Sequence, residues 1–317
     1  MTHFLLMRLI QAVLTVLVVT VFIFVLMRLL PGDPVRNLVT GGDNTITEEQ
    51  IKAKEHELGL DKPWPEQYVR WLGGVLSGDW GRTASGSAKI TDQIKERLPV
   101  TLQLALLTWV VTLVLAIPIG VLSAIKRNSW LDVSITTGAL AGLAAPNFVV
   151  ALMLIIFFTL ELKWLPARGY VSFGDDPLEA VKHFTMPVIT LSLAGIAGIA
   201  RQTRSAMLEV MKEDYIRTAR AKGLTGWSII SRHAMKNALL PIVTIMGLRF
   251  GGLISGSIII ESVFGLPGMG SLTITAVRQS DYNVIQILVM LFALMTISGN
   301  LIADIVYTRM DPRIRLN

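Results

Sequence analysis

Few residues in this chain have types and spacing suited to chemistry. The histidines His3, His56, His183 and His233 lie far apart, and cysteine is absent. Thiolate metal sites, disulfides and cysteine nucleophiles are therefore excluded, and no paired-ligand spacing points to a metal centre. No H-E-x-x-H or G-x-S-x-G motif occurs, which removes the zinc-protease and serine-hydrolase arrangements. A G-x-x-x-x-G-K-[ST] phosphate loop is also missing, so the chain has no standard means of holding ATP. What remains is a handful of ionisable side chains in apolar surroundings: Arg249, Glu261 and Asp304. Asn300, Asp304 and Tyr307 fall at i, i+4 and i+7, on one helix face, a pattern better suited to hydrogen bonds between helices than to proton carriage. Arg249 differs, because a charge at mid-bilayer depth must face a bundle interior or an aqueous cavity. Its counter-charge can be a substrate carboxylate, Asp304, or a polar defect in the lipid.

These side chains need elements to hold them, and composition says what kind. Of 317 residues, 52% are hydrophobic and 16% charged, with a mean hydropathy of +0.57. Soluble domains carry about 25% charged residues, so lipid rather than water surrounds much of this chain. The net charge of +6 does not signal nucleic acid, since the basic residues sort by loop rather than onto one face. Windows of about 20 apolar residues mark six spans: Leu9 to Leu30, then roughly 102–125, 133–160, 187–206, 239–263 and 284–307. The first is too long for a signal-peptide core and lacks a small-x-small cleavage site, so it is read as a retained anchor. Pro118, Pro146, Pro187 and Pro241 lie inside or at the ends of spans, and "GLRFGGLISG" permits close helix approach.

Lys and Arg in short loops set the orientation. Arg8, Lys126 and Arg127, the loop from Arg201 to Lys236, and Arg309, Arg313 and Arg315 all fall on one side. Both termini are thus expected in the cytoplasm. The one long loop, 31–100, is then external. Its "TEEQIKAKEHELGLDKP" carries a helix-start pattern at Thr47 with Gln50 and a stop at Gly59. Trp64, Tyr68, Trp71 and Leu72 follow at helical spacing, either packing this loop onto the membrane face or presenting a docking surface. On the cytoplasmic side, the loop 207–237 holds "DYIRTARAKGLTGWSIISRHAMKNALLP". Leu208, Met211, Tyr215 and Ala219 make a helical stripe, Gly223 breaks it, and Leu224, Trp227 and Ile230 form a second. Such a basic amphipathic segment suits anionic headgroups or a protein partner equally.

The residues Arg217, Thr218, Ala219, Arg220, Ala221, Lys222 and Gly223 ("RTARAKG") resemble the E-A-A-x-A-x-G signature of binding-protein-dependent ABC importer permeases. Arg217 stands where that signature has an acid and Thr218 where it has an alanine, as in the peptide and nickel branch. "LPGDP", "GDWGR", "RLPVTLQLALL", "IPIGVLSAIKR", "ESVFGLPGMG" and "DPRIR" resemble that branch in the same order, so the resemblance covers nearly the whole chain. It implies an all-α membrane protein of type I ABC importer permease fold, with six transmembrane helices, in a bacterial inner membrane. It further implies a second homologous permease subunit, two cytoplasmic ATPase subunits that bind ATP and Mg, and an extracytoplasmic substrate-binding protein. On this resemblance the chain is non-catalytic and holds no cofactor itself. Residues 217–223 are the expected contact with an ATPase, through compact Ala219 and Ala221 and the turn at Gly223. The substrates implied are dipeptides or oligopeptides, with glutathione or nickel chelates as alternatives. An ion-coupled secondary transporter and a membrane-anchored scaffold are the readings from other classes. Pro146, Asn147, Phe148, Arg249 and Glu261 are the candidates for the translocation path, on the strength of a kink, an intramembrane charge and a Gly/Pro-rich loop.

Overall fold

A computed structural model describes residues 2–29, 61–84, 86, 88–310 and the isolated positions 49, 52 and 56. The expected helix beginning at Thr47 lies essentially outside the described residues, as do "LPGDP" apart from its surroundings and "DPRIR". Among the described residues the regular elements are helices, with one isolated bridge between Arg82 and Lys89. The helices are α1 (Thr2–Leu29), α2 (Trp64–Ser77), α3 (Ile90–Ile125), α4 (Trp130–Ala144), α5 (Asn147–Leu154), α6 (Pro177–Val210), α7 (Asp214–Ala221), α8 (Met235–Phe264), α9 (Met269–Arg278) and α10 (Tyr282–Met310). A π-helical stretch, Ile155–Glu161, extends α5, and another, Ile229–Ala234, leads into α8.

Among the described residues four helices are each long and apolar enough to cross a membrane, and two bent pairs bring the count to six if each pair is one span. The 36-residue α3 measures about 54 Å at 1.5 Å per residue, so it outruns the hydrocarbon layer and begins twelve residues before the apolar window. The third span is not one continuous helix. It breaks by 103° between α4 and α5. Pro146 is the cause: it lacks an amide hydrogen and forces Ala145 out of the helical region, to ψ 122°. The fifth span bends by 46° between Gly247 and Arg249.

Small residues decide the crossings, as expected where lipid is as apolar as leucine. A Cβ on Gly120 of α3 would stand 2.5 Å from the Ala200 carbonyl of α6, and one on Gly195 would stand 3.0 Å from Thr112. On α8, a Cβ at Gly251 would lie 2.6 Å from Thr296 of α10, and Gly247 is pressed as closely against Ala303. α8 and α10 are therefore antiparallel and nearly in backbone contact. α1 packs on α10, with Arg8 Nε 3.3 Å from Asp304 Oδ2, and turns Leu9, Val13, Leu17 and Phe22 outward.

These contacts sort the bundle into two ends. The start of α1, the end of α10, the ends of α3 and α6, the start of α4, α7 and the start of α8 gather at one end. The starts of α3, α6 and α10, the end of α8, and α2 and α9 lie at the other. α2 is laid on α1 by its aromatics. The Tyr68 ring sits 5.3 Å edge-on from Phe24 and its hydroxyl lies 2.9 Å from Thr20 Oγ1, while Trp71 stacks 6.3 Å from the same ring. Arg28 lies 3.3 Å above Phe24 and donates twice to Gln67 Oε1, at 2.9 and 2.7 Å. Trp64 stays exposed.

Candidate functional site

α7 begins after a break that the sequence pattern does not show. The stripe through Leu208, Met211, Tyr215 and Ala219 spans two helices, because α6 ends at Val210 and α7 starts at Asp214. The reversal lets Ile216 and Ala219 enter a cluster with Val121 and Ala124 of α3 and Ala206 and Met207 of α6. Tyr215, placed in the apolar stripe by spacing, is instead exposed and accepts a hydrogen bond from Asn237 Nδ2 at 2.8 Å. Ala219 is 6% exposed, so its small size serves packing inside this chain. The remaining residues of the segment, Arg217, Thr218, Arg220, Ala221, Lys222 and Gly223, are exposed. Arg217 pairs with Asp214 at 3.2 Å on the helix surface.

Gly223 ends α7 at φ +76°. Its N–H reaches the Arg220 carbonyl at 2.9 Å, and the Leu224 N–H reaches the Ala219 carbonyl at 3.3 Å. This pairing satisfies two end carbonyls and needs a left-handed residue at 223. The outcome is a short, well-terminated helix. Its inner face is locked to the bundle, and its outer face carries Arg220 and Lys222 beside exposed Leu224 and Trp227.

The path candidates separate in space. Pro146, Asn147 and Phe148 mark the break between α4 and α5, with Phe148 49% exposed. Arg249, near the middle of α8, lies against Gly198 of α6, where a Cβ would meet Nη2 at 3.1 Å. Arg249 is exposed as a residue, and Asp304, its candidate partner from the sequence, is paired with Arg8.

Glu261 is not on an exposed surface. Its side chain is fully buried, and its two carboxyl oxygens accept four hydrogen bonds. Oε1 accepts from Thr101 Oγ1 at 2.9 Å and Ser257 Oγ at 2.8 Å. Oε2 accepts from the Gly270 and Ser271 amides at 2.7 and 3.1 Å. Thr101 Oγ1 in turn accepts from the Met269 amide at 2.8 Å. Gly268, the residue before α9, has no side chain to cap that helix, so Glu261 reaches across to satisfy its first amides. With both carboxyl oxygens engaged by its own chain, Glu261 acts as a structural node.

Sequence reasoning missed a second node, at the α7 end. Asp132 of α4 receives Arg204 Nε at 2.6 Å and Nη2 at 2.7 Å, Ser123 Oγ at 2.5 Å, and the Asn128 amide at 2.9 Å. The signal available was an acidic residue and a basic residue each placed at the basic edge of an apolar window.

Comparison with known proteins gives this geometry relatives. Residues 116–316 match the family described as binding-protein-dependent transport system inner membrane component, and residues 1–105 match its N-terminal counterpart. A Brucella abortus protein provisionally named a peptide transport system permease protein is 41% identical over 315 residues, 99% of each chain. The oligopeptide transport system permease protein AppB of Bacillus subtilis is 37% identical over 317 residues, again 99% of each. A glutathione transport system permease protein, GsiC of Pectobacterium atrosepticum, is 39% identical over 315 residues, with 99% of each covered. Among solved structures, a chain of the MetNI methionine ABC transporter in inward-facing conformations aligns with TM-score 0.58 at 18% identity. That alignment covers 69% of this chain and 96% of the other, a likeness of fold.

Proposed function

The chain belongs to the binding-protein-dependent transport system inner membrane component family, as a non-catalytic ABC importer permease of the peptide and nickel branch in the bacterial inner membrane, and from that premise we propose that it imports dipeptides or oligopeptides under the drive of ATPase subunits seated against α7. The observation that carries this reading is α7 itself. It is a short helix anchored by Ile216 and Ala219 to the ends of α3 and α6, with a basic and aromatic outer face left open. A push on that face is passed to long rigid helices rather than absorbed in a loop. The end carrying α7 also gathers Arg8, Lys126 and Arg127, which supports a cytoplasmic position for it and for both termini. ATP and Mg are bound by the partner ATPases in this reading, and a second homologous permease completes the path.

Arg249 supports the substrate class. A mid-span arginine that stays exposed in this chain suits a carboxylate in transit. Peptides carry one, and so does glutathione, which the similarity to a glutathione permease keeps as the second reading. The test is reconstitution with the second permease, the two ATPases and the binding protein, followed by uptake of labelled di- and tripeptides. Accumulation that requires both ATP and the binding protein is expected. Uptake by the permeases alone under an ion gradient would overturn the reading in favour of secondary transport. Arg249→Gln should cut uptake at least tenfold with assembly intact, since a hydrogen bond to a charged group contributes about 1.5–3 kcal/mol. Unchanged uptake removes the carboxylate role.

A further inference from the structure

The α7 end contains a buried ionic node that joins three helices. Asp132 is 3% exposed and Arg204 is its bidentate partner. Ser123 supplies a third contact from α3. Three helices therefore meet at one carboxylate: α3 through Ser123, α6 through Arg204, and α4 through Asp132 itself. Each attachment point is adjacent to the seat of α7. Ser123 precedes Ala124, and Arg204 lies one turn before Met207; both Ala124 and Met207 pack with Ile216 and Ala219. On the other side of the node, α4 runs from Asp132 to the break at Pro146, fourteen residues or about 21 Å away.

We propose that Asp132 and Arg204, with Ser123, form a positioning latch that passes displacement of α7 to the broken span α4–α5. This inference rests on α7 being the ATPase contact. The bidentate geometry suits the task, because a fork of two parallel bonds resists rotation as well as separation. Ser123 prevents the carboxylate from turning, and the Asn128 amide and the Ser129 cap hold the start of α4 against it. With the latch closed, α3, α6 and the first turn of α4 move as one body. With it open, α4 is joined to that body mainly by apolar contacts such as Gly142 near Ala197, which can slide. Asp132 and Arg204 engage each other within a buried node of their own chain, so their effect is on coupling.

The test uses the complete reconstituted complex and reads uptake per ATP hydrolysed alongside basal ATP hydrolysis. Asp132→Asn and Arg204→Gln are each expected to leave basal hydrolysis in place and to lower uptake per ATP at least tenfold. The double variant should be no worse than either single, because both changes open the same latch. Ser123→Ala, which removes one contact and no charge, should lower the ratio about two- to fivefold, and it serves if the charged variants fail to assemble. An unchanged ratio in Asp132→Asn, or in Ser123→Ala where the others do not assemble, overturns the latch. Lys222→Glu, on the exposed face beyond α7, separates this from the underlying reading. If it leaves substrate-stimulated hydrolysis unchanged, the coupling role of α7 is what fails. If it abolishes stimulation while Asp132→Asn keeps full uptake per ATP, only the latch fails.

Discussion

Glu261 makes a sharp quantitative prediction because its partners differ in what they lose. Truncation to alanine leaves the buried Gly270 amide and the half-buried Ser271 amide without an acceptor. Each unsatisfied buried donor costs about 1–3 kcal/mol. The two hydroxyls suffer less, since Ser257 Oγ also has the Ile254 carbonyl at 2.8 Å and Thr101 Oγ1 keeps the Met269 amide. Glu261→Ala should therefore destabilise by about 2–6 kcal/mol. Glu261→Gln can keep an oxygen toward the two amides and present its NH2 to the hydroxyl oxygens, which can accept. Its loss should be about 1–2 kcal/mol, the difference between charged and neutral hydrogen bonds. At about 2–4 °C per kcal/mol, alanine lowers the melting midpoint by on the order of 10 °C and glutamine by roughly 3 °C. The assay is thermal unfolding of the purified complex in detergent, followed by loss of monodisperse material. Equal midpoints for the two variants would refute the argument that the carboxyl group caps α9. A further check is close at hand: Gly268 and Gly270 crowd this same carboxylate, so Gly268→Ala should resemble Glu261→Ala more than Glu261→Gln.

Gly223 is required for its backbone angle and not for space, since a Cβ there would meet nothing within 4 Å. Substrate-stimulated ATP hydrolysis of the complex should thus fall in the order Gly, Asn, Ala, Val at position 223, following tolerance of φ > 0; an effect that tracks side-chain volume alone would contradict this. Gly120→Ala should lower the melting midpoint by several degrees because Ala200 and Thr203 offer backbone and Cβ atoms that cannot turn aside. Gly73→Ala, in open space on α2, should instead be neutral or gain up to about 1 kcal/mol of helix propensity.

Much of this molecule is legible along the chain. Four of the six apolar windows reappear as single helices of spanning length and the other two as bent pairs, because bilayer thickness imposes a length that local composition reveals. Pro146 was visible as a kink, but the 103° break was not; a proline requires the preceding residue to leave the helix, while the angle depends on what α4 and α5 pack against. Gly223 was legible as a stop, and the structure gives it the left-handed angle that the stop needs. Ala219 was expected as part of the ATPase contact, and the structure buries it against its own bundle; periodicity shows that a helix has two faces and not which one its own bundle covers. Asp304 illustrates the same limit. Its helix face was evident, its partner Arg8 was not.

The sequence by itself determined the class of the protein: helices in lipid, basic residues sorted to one end, no nucleotide site of the standard kind, and a glycine-terminated basic segment between two spans. These follow from sums over neighbouring residues, which a linear reading can take. Only the tertiary structure decided which polar groups meet. Thr101 finds Glu261 across 160 positions and Arg204 finds Asp132 across 72. Each pairing is imposed by apolar surroundings in which a lone polar group is costly, and a partner is chosen by helix crossing and rotation. Those depend on where Gly120, Gly195 and Gly251 allow backbones to touch, a property of the packed bundle and not of any one segment.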